Sequence, residues 1–167
     1  TVKKGKLFVL SAPSGGGKTT IRTAILQTDP SVVYSVSVTT RPMRPGEVDG
    51  KDYHFVTPEI FDSYLKNGEF LESAEVHGNN YGTRRKYIEE ATSSGKNVIM
   101  DIDVQGALNI KRLMPESVLI FLTPPSLEEL EKRLRGRNTD SEEIIDRRLA
   151  NAISELSFQN RYDYVVV

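Results

Sequence analysis

Residues 12 to 20 read Ala12-Pro13-Ser14-Gly15-Gly16-Gly17-Lys18-Thr19-Thr20, set between the apolar run Leu7-Phe8-Val9-Leu10 and a helix-like segment from Ile21 to Gln27. Three successive glycines let the backbone curl so that several N–H groups point at one anion, and a helix that starts there adds its positive dipole end. Lys18 supplies a point charge for outer phosphates and Thr19 a hydroxyl for Mg²⁺. This completes a strand–GxxxxGK[ST]–helix pattern in which Ala12 stands where the first glycine would be. Alanine is tolerable there at a strand end with negative φ and awkward in a left-handed conformation. A merely flexible loop would not explain why strand, glycines, lysine, hydroxyl and helix arrive in that order. Ser14, Gly15, Gly16, Gly17, Lys18, Thr19 and Thr20 are therefore expected to cradle nucleotide phosphates.

A chain of 167 residues buries one substantial core and has room for excursions from it, but not for two ordinary domains. Its 22 basic and 23 acidic residues nearly cancel, so no global field draws it to nucleic acid and anion binding must come from local clusters. No apolar run reaches membrane-spanning length and no signal-peptide core opens the chain. A soluble, cytoplasmic protein is expected. The absence of cysteine excludes disulfides and thiolate metal sites and is compatible with a reducing compartment. With only His54 and His77, a histidine-rich metal centre is disfavoured, and neither histidine is assigned a role.

Short apolar runs alternate with amphipathic stretches, as in a parallel sheet with helices on its faces. Leu7 to Ser11, Val98 to Ile102, Val118 to Leu122 and Tyr164 to Val167 are continuous rather than alternating and read as buried central strands. Between the first two, residues 34 to 83 have a different texture. Ser35 to Thr39 alternates, turns fall at Pro45-Gly46 and Asp49-Gly50, and Thr57-Pro58 starts a helix stopped at Asn67-Gly68. This reads as an inserted mixed-sheet lobe. After Leu122, Ser126 to Glu129 is a capping-box start for a helix through Leu134, and Gly136-Arg137-Asn138 breaks it before another helix from about Ser141. The resulting helical hairpin holds Arg133, Arg135, Arg137, Arg147 and Arg148.

Val98 to Asp103 is an apolar strand ending in acids, so Asp101 and Asp103 are expected at the carboxyl edge of the sheet, where ligands bind in open α/β folds. In a phosphate-loop protein this is also the position of the second magnesium-organising element. Thr19 and Asp101, the latter through water, are the expected metal contacts. In the inserted lobe, Arg41 and Arg44 lie three apart in a proline-stiffened segment, a spacing suited to gripping one phosphate from two sides. Tyr53 and Tyr81 add hydroxyls nearby in sequence, although tyrosines are as readily lobe core.

Four blocks, Ser35-Val36-Ser37-Val38-Thr39-Thr40-Arg41, Gly46 to Tyr53, Asn80-Tyr81-Gly82-Thr83 and Asp101-Ile102-Asp103-Val104-Gln105-Gly106, together resemble the guanylate kinase family, in its order and over nearly the whole chain. The resemblance implies an α/β fold of the P-loop NTPase type, a three-layer parallel sheet with an inserted GMP-binding lobe and a helical lid. The implied division is one domain over residues 1–167, with core 1–33, 84–123 and 155–167, lobe 34–83 and lid 124–154. Carried across by motif, Arg41, Arg44, Tyr53 and Tyr81 would hold the GMP phosphate, and Ser37, Glu72, Thr83 and Asp101 would recognise guanine. Lys18, Arg133, Arg137 and Arg148 would serve the transferring phosphate. The chemistry is consistent with those roles: a Glu72 carboxylate can accept from both N1–H and the exocyclic amine of guanine, Thr83 can donate to O6, and adenine lacks both donors.

The implied reaction is ATP plus GMP giving ADP plus GDP, with Mg²⁺ accompanying ATP and no nucleic acid or membrane as partner. Two alternatives stand beside it: a catalytically silent, guanylate-kinase-like module that holds a protein partner, and a related kinase for another phosphorylated acceptor. The chain stops at Val167, within what reads as a core strand. The family continues with an Asn-Asp pair near the adenine and a last helix, so adenine contacts are expected outside these residues.

Overall fold

The computed structural model describes residues 3–13, 18–136 and 140–167. Ser14, Gly15, Gly16, Gly17 and Arg137, singled out above, lie outside the described residues. The chain runs β1 (Leu7–Ser11), α1 (Lys18–Thr28), β2 (Val32–Tyr34), β3 (Val38–Thr39), β4 (His54–Phe55), α2 (Pro58–Lys66), β5 (Phe70–Val76) and β6 (Asn79–Arg84). It continues through α3 (Arg85–Ser93), β7 (Asn97–Asp101), α4 (Val104–Leu113), β8 (Val118–Leu122), α5 (Leu127–Gly136) and α6 (Glu142–Leu156). A short 3-10 turn, Gln159–Arg161, then leads to β9 (Tyr164–Val166).

Five strands form one parallel sheet in the order β2-β7-β1-β8-β9. The continuous apolar runs are buried because helices flank this sheet. Leu7, Val9, Val98, Met100, Leu119 and Phe121 are sealed from solvent and pack with Ile88 of α3 and Ala107 and Ile110 of α4. β9 departs from its expected place as a buried central strand. It is the last strand in the order, pairs with β8 alone, and leaves Tyr164, Val165 and Val166 exposed. An apolar run marks a strand but not the neighbours that strand will have. The short β2, which carries no period long enough to read, joins the same sheet: Val33 pairs with Val98 and Tyr34 with Ile99.

The second sheet has the order β4-β3-β6-β5, with β3 parallel to β4 and antiparallel to β6, and β5 antiparallel to β6. It is mixed, as its alternating texture predicts, although only Val38–Thr39 of the alternating segment pairs as a strand. Its own small core is Val38, Phe61 and Phe70, with the two phenylalanine rings 4.7 Å apart. Phe61 comes from α2, which begins as the sequence indicates: Thr57 accepts from the Ile60 N–H, Pro58 takes the first turn, and Gly68 at φ 67° follows the Asn67 cap. α5 and α6 pack through Leu130, Leu134, Leu149 and Ala152. Ser126 caps α5 through the Glu129 N–H, and Ser141 caps α6 through the Ile144 N–H. The first helix runs to Gly136 rather than Leu134, since one glycine in a last turn costs only about 1 kcal/mol.

Candidate active site

A cleft opens between the two sheets. One wall is the β5–β6 hairpin, whose two-residue turn, His77-Gly78, has φ of 50° and 79°. Two positive φ values in succession match the twist of antiparallel strands and fix their register. That register sets Glu72 opposite Thr83 and Ala74 opposite Tyr81. Because side chains alternate along a strand, Glu72, Ala74 and Val76 share the face that lines the cleft, together with Tyr81 and Thr83. Gly82 lies between them where a Cβ would meet the Phe70 ring at 2.5 Å, so hairpin and lobe core fit only without a side chain there.

The opposite wall is the carboxyl edge of the parallel sheet. Asp101, Ile102 and Asp103 line it at the end of β7, with Lys18 from the start of α1. Ser37 and Tyr53 complete the lining. The structure thus brings Lys18, Ser37, Tyr53, Glu72, Tyr81, Thr83 and Asp101 into one cavity, although they are spread from residue 18 to residue 101 of the chain.

Glu72 is 8% exposed, and its Oε1 finds no hydrogen-bond partner among the described residues. Burial, reinforced by the Asp103 carboxylate, pushes its pKa up to about 7. Gly106 of α4 makes the close approach possible, since a Cβ there would lie 3.0 Å from Asp103 Oδ1 and 3.2 Å from Glu72 Oε1. Asp103 itself caps α4 by accepting from the Gly106 N–H.

Arg41 is almost fully buried and held by Glu47 in a bidentate pair at 2.9 and 2.8 Å. Its guanidinium also lies 5.3 Å from the Tyr53 ring centroid. The hydrogen bond to Glu47 dominates in holding Arg41 more firmly cationic, and the same bond leads in lowering Glu47 to about 2. Glu47 also accepts from the Arg44 N–H at 2.7 Å; Arg44 is exposed, and neither Arg41 nor Arg44 lines the cleft. Glu47 was not assigned a role from sequence. Its signal is an acid three residues after the second of two arginines, in a glycine-bearing turn.

Asp101 is engaged from behind the cleft. Arg22 Nη1 lies 3.1 Å from its Oδ2, and the Tyr34 hydroxyl donates to its Oδ1 at 2.7 Å. Neither Arg22 nor Tyr34 carries a sequence signal for this role. In contrast, Arg133 and Arg148 do not line the cleft: Arg133 is paired with Glu129 at 3.3 Å, and Arg148 with Asp140 at 2.7 Å. Arg135 bridges Glu131 and Glu142. Thr19 and Thr20 sit in the first turn of α1.

A parallel sheet whose first strand leads to a lysine-headed helix, with a polar cleft at its carboxyl edge, defines the P-loop kinase class of α/β proteins. Consistent with that class at the level of fold alone, the chain superposes on shikimate kinase from Bacteroides thetaiotaomicron with a TM-score of 0.50 and 15% identity, covering 96% of this chain and 84% of that one. The chain belongs to the guanylate kinase family, whose model matches residues 4–167. It is 53% identical to the guanylate kinase of Syntrophotalea carbinolica over 165 residues, 99% of this chain and 79% of that protein. It is 50% identical to that of Lactococcus lactis, covering 99% and 80%. The crystal structure of guanylate kinase from Anaplasma phagocytophilum superposes with a TM-score of 0.79 at 40% identity, covering 99% of this chain and 77% of that one.

Proposed function

We propose that the protein transfers the terminal phosphoryl group of ATP to the phosphate of GMP, giving ADP and GDP. The observation that carries this reading is the buried Glu72 carboxylate with an unpartnered oxygen in the cleft. Guanine offers that carboxylate two donors, N1–H and the exocyclic amine, whereas adenine would leave it desolvated and unpaired. Ser37, Thr83 and Asp101 complete the base site. Arg41, oriented by Glu47, would hold the GMP phosphate with Tyr53, Tyr81 and Arg44.

The attacking oxygen belongs to the GMP phosphate, whose second pKa is about 6, so it is largely ionised at neutral pH and needs no protein base. It forms a bond to the γ-phosphorus as the bond to ADP breaks. The chain's own work is therefore positioning and charge neutralisation. Lys18, with residues 14–17, Thr19 and Thr20, would hold the ATP phosphates, and Arg133, Arg137 and Arg148 would join when the helical hairpin, residues 124–154, closes over lobe 34–83 and the remaining core. Closure would also exclude water that otherwise hydrolyses ATP.

Among the described residues, no group of three or more His, Cys, Asp or Glu side chains could hold a metal ion. Mg²⁺ would instead arrive with ATP, and Thr19 and Asp101 would hold it, Asp101 through water. Such an ion supplies charge neutralisation on the phosphates. The test is ADP formation from Mg-ATP with GMP, AMP, ribose 1,5-bisphosphate or no acceptor. Turnover dependent on GMP supports the reading, and equal rates with AMP or with no acceptor refute it.

A further inference from the structure

The Asp101 carboxylate is the centre of a closed hydrogen-bond ring that the phosphoryl-transfer reading leaves without a purpose. Arg22 Nη1 donates to the Tyr34 hydroxyl at 2.8 Å and to Asp101 Oδ2 at 3.1 Å, with Oδ1 at 3.4 Å. The Tyr34 hydroxyl donates to Asp101 Oδ1 at 2.7 Å. Every proton in this ring has a forced direction, because a guanidinium has no acceptor and Tyr34 must therefore give its own hydrogen to Asp101. The guanidinium carbon also lies 4.4 Å from the Tyr34 ring centroid, which fixes the plane of the fork.

We infer that Arg22 and Tyr34 are positioning residues that aim the Asp101 carboxylate at the exocyclic amine of guanine and so set the preference for guanine over hypoxanthine. The three residues come from different elements: Arg22 from α1, Tyr34 from the end of β2, and Asp101 from the end of β7. Asp101 lines the same cavity as Glu72, and only 9% of its side chain is exposed. A carboxylate has about four lone-pair directions, and two donors approaching from one side leave others for the cleft. Guanine's exocyclic amine carries two hydrogens, and Glu72 uses one of them when it also accepts from N1–H. The second hydrogen needs an acceptor on the far wall, where Asp101 stands. Hypoxanthine keeps N1–H and O6 but lacks this amine, so IMP retains the Glu72 contact and loses the one Asp101 would make.

The inference rests on the proposed GMP kinase activity, and IMP is the probe that separates the two. Tyr34→Phe removes only the hydroxyl and keeps the ring under Arg22. Arg22→Lys keeps the charge but loses the planar guanidinium that lies against the Tyr34 ring while its Nη1 donates to both Tyr34 and Asp101. Both variants are expected to lower kcat/KM for GMP roughly tenfold while kcat/KM for IMP and KM for ATP stay within twofold, compressing the GMP:IMP ratio. In an Asp101→Asn background, Tyr34→Phe is expected to compress it no further. Thermal melting of each variant confirms that it is folded. If the unmodified protein uses GMP but both variants keep its GMP:IMP ratio, even with both activities lowered in parallel, Arg22 and Tyr34 are structural ties and the inference fails. If the unmodified protein does not turn over GMP, the kinase reading itself fails and the inference falls with it.

Discussion

Replacing Glu72 by Gln separates the stability of the free protein from its affinity for guanine, and the two are expected to move in opposite directions. In the fold, the Glu72 pKa is about 7 against an ordinary 4.5. The folded state thus holds the proton more tightly than the unfolded chain does, and Glu72 costs nothing below pH 4.5. Its cost grows as pH rises from 4.5 to 7 and is fully present above 7. A difference of about 2.5 pK units corresponds to about 3 kcal/mol, which for a chain of this length is roughly 6–12 °C in Tm. Glutamine keeps the shape and cannot ionise, so the stability of Glu72→Gln minus that of the unmodified protein should rise by about 3 kcal/mol between pH 4.5 and pH 8.5. Subtracting one protein from the other at each pH cancels the titrating groups that do not interact with Glu72. Urea unfolding of both proteins across that range is the assay, and a difference that does not change with pH would refute the assignment of a buried, destabilising carboxylate.

The remaining expectations concern the walls of the cleft and the groups that aim its side chains. GMP affinity of the unmodified protein should rise with pH up to about 7 as Glu72 loses its proton, and Glu72→Gln should bind weakly with a flatter profile; isothermal titration in buffers of different ionisation enthalpy measures the proton released. Gly106→Ala places a Cβ 3.2 Å from Glu72 Oε1 and 3.0 Å from Asp103 Oδ1, and should raise KM for GMP at least severalfold while KM for ATP holds, as steady-state kinetics with each substrate varied would show. Glu47→Ala releases Arg41 from its bidentate pair and should raise KM for GMP without changing the GMP:IMP ratio; a changed ratio would remove Arg41 from the phosphate side of the site. Phe61→Ala opens a cavity beside Phe70 and Val38 and should destabilise the protein by about 3–5 kcal/mol, read by thermal or denaturant unfolding.

Local signals in the sequence were sufficient for elements whose cause is local. β1 and β8 are continuous apolar runs, and α2 and α6 announce themselves through Thr57, Pro58 and Ser141, side chains that act within a turn of where they stand. β2, β3 and β4 have two or three residues each, too few for a period, and are strands only because a partner strand lies alongside. The exposure of β9 has the same origin, since burial belongs to the arrangement of neighbours and not to the run of valines.

The sequence alone determined the kinds of chemistry available: a glycine-rich segment ending in Lys18 and Thr19, carboxylates at Glu72 and Asp101, and arginines in two clusters, because these depend on residue type and short spacing. Tertiary structure decided what each group faces. It left Glu72 buried with an unpartnered oxygen, turned Arg41 toward Glu47, kept Arg133 and Arg148 paired on their own hairpin, and placed Arg22 and Tyr34 behind Asp101. Burial and charge pairing between distant parts of the chain are created only when the two sheets come together, and no window of sequence contains them.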